Sequence, residues 1–353
     1  MTGGEESAEG DDAGDVIAED TAAFRRYLRA KRTVDDRALD RRLVAILRER
    51  LADRAADTEE PLRVLEVGAG IGTMIARLID WEVLPPGEVR YVAVDLDGDT
   101  LTGLRPFLRE WAAGRDASVS VSVSDADEDT ADGDVLVIET ADRTIAIESV
   151  AADAVAFANE HAGEWDALIG MALLDVLDLD GLGPLLDALA PGGTYYFPIT
   201  FDGGTRFRPA HAADRTIERR YHAHMDAKPG GSSRAGGDAL ARLQAIEGAS
   251  LLGVAGSDWV VRPAAETDGQ GGSDSPYPGD EAFFLRHILD TVEAAVGEVI
   301  AGVVGEPSPD ESDSDPVAEL DEWLAHRRRQ LDAGELVYLT HQLDLIGRIG
   351  SEE

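Results

Sequence analysis

Three glycines, Gly68, Gly70 and Gly72, follow an apolar run at 62–67 (LRVLEV) and open a stretch with helical spacing at 73–81. A strand, glycine loop and helix in that order let a nucleotide-like ligand lie against the backbone at the strand's carboxyl end. Any Cβ there would hold the ligand away. Glu66 stands just before the loop, and the next apolar run, 90–95 (RYVAVD), ends on an acid, Asp95. That acid is placed to accept hydrogen bonds from two ribose hydroxyls. Each residue taken singly has a plainer reading: a glycine as a simple turn, Asp97 and its neighbours as a surface turn, Asp153 as a helix N-cap.

Spacing separates two kinds of nucleotide site. A dinucleotide fingerprint places its third glycine three residues after the second, at position 73. Thr73 stands there, and the glycines run GxGxG instead. With Glu66 in front, residues 64–74 (VLEVGAGIGTM) and 91–97 (YVAVDLD) resemble the class I S-adenosylmethionine-dependent methyltransferases, whose first motif has the form E-x-G-x-G-x-G. The resemblance spans roughly residues 60–200, and more loosely the last strand.

The resemblance implies S-adenosylmethionine as cofactor and carries roles onto individual positions. Glu66 would orient the loop or the methionine amino group, with Gly68, Ala69, Gly70 and Gly72 forming the loop along the methionine part. Asp95 would hold the ribose, with Leu96 or Asp97 near the adenine, and Asp153 matches an acid that often meets the adenine amino group. Gly170 and Met171 match the segment lining the methyl-transfer channel, and LLDALAPGGTYYF matches the following helix, turn and strand.

A sulfonium methyl is already activated, so the protein has mainly to align a nucleophile and exclude water. A base is needed only where that nucleophile carries a proton. Candidates after the fifth strand are Asp202, His211, His222 and His224; His222 and His224 would share one face of a strand but diverge on a helix. As lone histidines they are more readily structural or exposed than basic, and no third ligand joins them to make a metal site. Tyr195, Tyr196, Phe201, Arg206 and Phe207 could line a pocket for an organic anion or a flat ring, and 230–238 (GGSSRAGGD) could be a lid or a linker. Tyr27, Lys31 and Arg37 could reach the ligand from the opening helices, or form a solvated face.

The expected acceptor is a small molecule. The Asn/Asp-Pro-Pro-Tyr/Phe motif of relatives that modify bases is absent, MALLDV standing in its place, and no basic stripe for nucleic acid is visible. Other functions remain open: an aminopropyltransferase, which would need an acidic polyamine pocket around Asp175 and Asp178, or a non-catalytic binding module. A nicotinamide dehydrogenase is disfavoured by Thr73.

The elements that must hold these residues alternate. Apolar runs at 62–67, 90–95, 144–150, 165–170 and 193–200 are separated mostly by helical stretches, which predicts parallel strands joined by right-handed crossovers. The expected fold is α/β, a doubly wound, mostly parallel sheet of seven strands, with opening helices and a helical insertion before the last strand. Residues 1–20 read as a disordered acidic start, and 21–58 as a helical lid broken near 33–36, with Thr33 or Asp35 capping the second helix. The core spans 59–262, with an acidic hairpin insertion at 117–143. A linker and helical cap follow at 263–333, and 334–353 hold the final strand.

Composition bounds the setting. Asp and Glu number 70 against 32 Lys and Arg, a net charge of −38. The acids run along the whole chain, and only Lys31 and Lys228 are lysines. Dispersed carboxylates with few lysines suit a haloarchaeal-type protein, since about 1 M salt shrinks the Debye length to roughly 3 Å and screens the self-repulsion. The chain has no cysteine, which excludes disulfides and thiolate chemistry. With no apolar run of spanning length and no signal-like start, a cytoplasmic protein without membrane contact is expected.

Overall fold

The computed structural model describes residues 9–115, 117–122, 135–264, 275–304 and 315–350. Helices α1 (Glu9–Ala38) and α2 (Arg41–Ala56) lead into β1 (Leu62–Val67), α3 (Thr73–Asp80) and β2 (Gly87–Asp95). Next come α4 (Gly98–Leu101), α5 (Leu104–Ala112), β3 (Ser118–Ser122), β4 (Val135–Glu139), β5 (Arg143–Ala151), α6 (Ala154–Glu160) and β6 (Trp165–Ile169). Then follow α7 (Leu182–Asp187), β7 (Leu189–Phe201), β8 (Arg206–Arg208), α8 (Asp214–Ala227), α9 (Ala235–Ala245), β9 (Ala249–Gly256) and β10 (Trp259–Val261). The chain closes with α10 (Glu281–Ile300), α11 (Pro316–Asp332), β11 (Val337–Thr340) and β12 (Gln342–Ile349).

Nine strands form one sheet in the order β3-β4-β5-β2-β1-β6-β7-β12-β9. Strands β5, β2, β1, β6 and β7 are parallel; β12 runs antiparallel between β7 and β9. The expected seven strands are thus extended by the β3–β4 hairpin, antiparallel at one edge. Its acidic loop lies outside the described residues. From β1 the winding runs one way to β2 and β5 and the other way to β6 and β7. The order reverses beside β1, where open α/β sheets bind ligands at the strands' carboxyl ends.

The period of two along each strand divides the apolar residues between two cores. Val64, Tyr91, Ala93, Ala167, Ile169, Tyr196 and Ile346 face the layer of α2, α3 and α5. Leu65, Val92, Val94, Leu168, Tyr195, Phe197 and Leu345 face α6, α7 and α9. Each fully buried aliphatic side chain contributes roughly 1.5–3 kcal/mol, so a one-residue slip in any central strand is excluded. Tyr195 and Tyr196, considered above as pocket residues, are therefore buried in opposite cores.

Four expectations change. Residues 9–20 belong to α1 instead of a disordered start, 1–8 lying outside the described residues. Extending a packed helix costs less than nucleating one. The break between the opening helices falls at 39–40, not 33–36, and the cap is Asp40, whose carboxylate accepts from the amides of Arg42 at 2.9 Å and Leu43 at 3.2 Å. Pro191 and Gly192 lie inside β7, as a register irregularity between Trp165–Leu189 and Ala167–Thr194. The final segment is two strands: β11 joins a small sheet, β10-β11-β8, and only β12 enters the large one.

That small sheet packs with α8, α10 and α11 beside α1. Arg37 and Thr33 converge on the buried carboxylate of Glu281 at 2.6 and 2.9 Å, and Tyr27 stacks on Phe284 and His287 of α10. Most of α1 is thereby held against the sheet's carboxyl end.

Candidate active site

The loop after β1 takes left-handed backbone angles at all three glycines: φ is 70° at Gly68, 53° at Gly70 and 79° at Gly72. A side chain in that region is strained. A Cβ at Gly68 would also stand 3.2 Å from Leu173, and one at Gly70 3.1 Å from Leu28. The loop is locked to the next strand: the Ala69 amide donates to the Val94 carbonyl at 3.1 Å, and the Gly70 amide to Asp95 Oδ2 at 2.7 Å. Asp95 Oδ1 accepts from the Asp97 amide at 2.9 Å. Each Asp95 oxygen retains a second lone pair for a ligand hydroxyl.

These residues border a cleft of about 780 Å³ at the switch point of the sheet. Its lining includes Glu66, Gly68, Ala69, Gly70, Asp95, Leu96, Asp97, Asp153 and Met171, all of them sequence candidates. Leu96 is 77% exposed and Val176 66% exposed, two large apolar side chains at the cleft with little protein to cover them. Asp153 is at once lining and N-cap, accepting from the Ala156 amide at 2.8 Å, so its two readings coexist. Asp97 caps α4, and the Thr100 hydroxyl and amide hold its carboxyl below the usual range.

Glu66 is buried beneath the loop. The Tyr91 hydroxyl donates to its Oε2 at 2.7 Å, yet burial outweighs that bond and raises its pKa from 4.5 to about 8. At neutral pH the side chain is largely a neutral acid, a cost that an approaching cation would reduce. Behind it Arg77, fully buried, donates to Asp36 Oδ1 at 2.5 Å and to Met171 Sδ at 3.3 Å. Asp35 accepts from Lys31 at 3.1 Å and from the Trp259 indole at 3.0 Å, while burial pushes its pKa up. Ala172, just past β6, holds φ 51°, an uncommon angle for a residue with a Cβ.

The remaining candidates stand elsewhere. Gly72 is the N-cap of α3, and Gly170 is enclosed by Leu173 and Phe197; neither lines the cleft. Asp202 accepts from the Gly237 amide at 2.9 Å. His222 meets Thr205 Oγ1 at 3.0 Å and packs edge-on against Phe201, with burial lowering its pKa. His224 Nε2 lies 2.8 Å from Glu298. Both histidines are on α8, where positions two apart diverge, and neither they nor Asp202 line the cleft. Among the described residues no three His, Cys, Asp or Glu side chains form a metal-binding group.

Several lining residues went unread, chiefly Phe24, Leu28, Asp35 and Trp259. With Tyr27 and Lys31, the first three follow helical spacing along α1, a stripe the sequence does display. Trp259 carries no such signal, because a three-residue strand in a separate sheet brings it there. Arg37, also considered, is taken up by Glu281.

No family model and no curated protein matches the sequence. Among solved structures, the chain is similar to phosphoethanolamine N-methyltransferase 2 from Haemonchus contortus, solved with S-adenosylhomocysteine. That match has 12% identity and a TM-score of 0.34, covering 86% of this chain but only 53% of the other, so this chain spans about half its length. A Galdieria sulphuraria structure assigned as a sarcosine dimethylglycine methyltransferase gives 13% identity, TM-score 0.36, and coverage of 87% and 86%. Spermidine synthase from Thermotoga maritima gives 16%, 0.25, and coverage of 42% and 41%. Likeness this distant settles no chemistry, which rests on the site's own geometry.

Proposed function

We propose that this protein transfers a methyl group from S-adenosylmethionine to a small-molecule acceptor. The observation that carries the reading is the pairing of Asp95 with the Gly70 amide at 2.7 Å on the rim of one cleft. Asp95 would take the ribose hydroxyls, Leu96, Asp97 and Asp153 the adenine, and Glu66 with Gly68, Ala69 and Gly70 the methionine end. Bound there, the sulfonium supplies an activated methyl group; the protein's residues orient it and keep water out.

Charge favours a sulfonium over a dinucleotide. The part of the cleft assigned to the cofactor is lined by the carboxylates of Asp95, Asp97 and Asp153 and by the buried acid Glu66, with Lys31 as the cleft's one basic residue among the described residues. Lys31 is already paired with Asp35. A pyrophosphate would meet mostly carboxylates, whereas a sulfonium meets attraction in a site of reduced dielectric. Thr73 in place of a third glycine points the same way.

The test is calorimetric titration of S-adenosylmethionine, and separately NADH, into protein held in about 1 M KCl, with Asp95→Ala as control. Binding of the sulfonium compound is expected, weakened about 10- to 100-fold in the variant through lost charge-assisted hydrogen bonds. Preference for NADH, or no binding by folded protein, refutes the reading. Release of S-adenosylhomocysteine with an acceptor present separates an enzyme from a binding module.

A further inference from the structure

The same cleft holds a charged group that cofactor binding leaves unused. Asp175 follows β6 on the loop 170–178, and its Oδ1 is buried without a hydrogen-bond partner. Its main chain is fixed by the neighbouring connection, the Ser232 amide donating to the Asp175 carbonyl at 3.3 Å. A Cβ at Gly230 would stand 2.7 Å from the Asp178 nitrogen, so the two segments are in close contact. The main chain that carries Asp175 is therefore held in place, and a buried carboxylate oxygen left unpaired is costly.

Its surroundings select the partner. Tyr27 of α1 and Tyr221 of α8 are both within electrostatic reach of Asp175, and Trp259 lines the same space. The Trp259 ring already receives an ammonium, since Lys31 Nζ stands 5.2 Å from its centroid. Lys31 is hydrogen-bonded to Asp35 and also faces Asp175, but no group among the described residues hydrogen-bonds Asp175 Oδ1. A buried carboxylate oxygen left unpaired beside aromatic rings suits a cation that can donate a hydrogen bond to it.

We propose that Asp175, which shares its cleft with Tyr27 and Trp259, binds the protonated amino group of the methyl acceptor, so that the acceptor is a small amine. This inference rests on the methyl-transfer reading. An ammonium must lose one proton before its nitrogen can attack; that proton passes to the Asp175 carboxylate, giving a neutral acid and freeing the nitrogen lone pair. Burial raises the proton affinity of Asp175, in keeping with that role.

Protein saturated with S-adenosylhomocysteine is titrated with phenethylamine, 2-phenylethanol and phenylacetate, three ligands alike in size. The amine should bind about 10- to 100-fold more tightly than the alcohol, the value of a hydrogen bond to a charged group. In Asp175→Asn that preference should disappear while S-adenosylhomocysteine affinity stays within about twofold. The wild-type comparison stands whether or not the variant folds. An amine that binds no better than the alcohol or the acid, in protein that holds S-adenosylhomocysteine, overturns the inference alone. Failure to hold S-adenosylhomocysteine overturns the reading beneath it.

Discussion

Replacing Glu66 by glutamine should make the protein more stable as pH rises. Glu66 is 2% exposed, and burial lifts its pKa from 4.5 to about 8. The folded chain thus holds this proton more tightly than the unfolded chain. The associated stability is fully present below 4.5 and is lost as pH climbs through about 8. The ceiling is about 5 kcal/mol, and between about pH 5 and about pH 9 the loss comes to roughly 4 kcal/mol. In Glu66→Gln the new amide oxygen would still accept from the Tyr91 hydroxyl, and the side chain would not titrate. Urea unfolding of both proteins in about 1 M KCl, followed by tryptophan fluorescence, measures the difference. Groups that titrate alike in both cancel, so the variant's advantage should grow by roughly 3–5 kcal/mol across that range. Stability curves that stay parallel would show that Glu66 ionises normally, and the account of a buried neutral acid under the loop would fail.

Further outcomes follow from the same structure. Arg77→Met should cost about 3–5 kcal/mol in the same assay, because Asp35 and Asp36 lose a fully buried counter-charge; a loss below about 1 kcal/mol would contradict that pairing. Gly347→Ala drives a Cβ into the Tyr195 hydroxyl and the Ser250 carbonyl, so β12 must shift and thermal unfolding should report a loss of about 3 kcal/mol or more. Lowering KCl from about 1 M to about 0.01 M lengthens the Debye length from about 3 to about 30 Å, and with a net charge of −38 the melting temperature should fall. A melting temperature indifferent to salt would refute adaptation to concentrated salt.

The central strands were legible because both of their faces are buried, which leaves continuous apolar runs such as LRVLEV and WDALIG. The glycine loop was legible for a related reason: three left-handed residues leave little choice of amino acid. Strand β9 gives no comparable signal, because Leu252 and Val254 are exposed and no apolar face emerges from its neighbours. Strands β8 and β10, three residues each, exist only through their pairing with β11, which is a tertiary fact. His222 and His224 stand apart from the cleft because of how α8 is set, and its own residues do not declare that orientation. Among the described residues no helix is long and apolar enough to cross a membrane.

The topology also sets the order in which a nascent chain can complete its site. Among the described residues of the large sheet β9 pairs with β12 alone, and β12 lies far downstream, beyond both α10 and α11. The α1 wall of the cleft, made first, leans on α10 through Glu281 and Phe284. The glycine loop and Asp95 leave the ribosome early, together with the ion pairs that tie α1 to α3 and α5, but the helix that closes over them lacks its anchor on α10 until the insertion follows. Ligand capture should therefore come late in synthesis. Ribosome-bound chains halted before α10 should show the central strands protected from proteolysis while α1 is still cut.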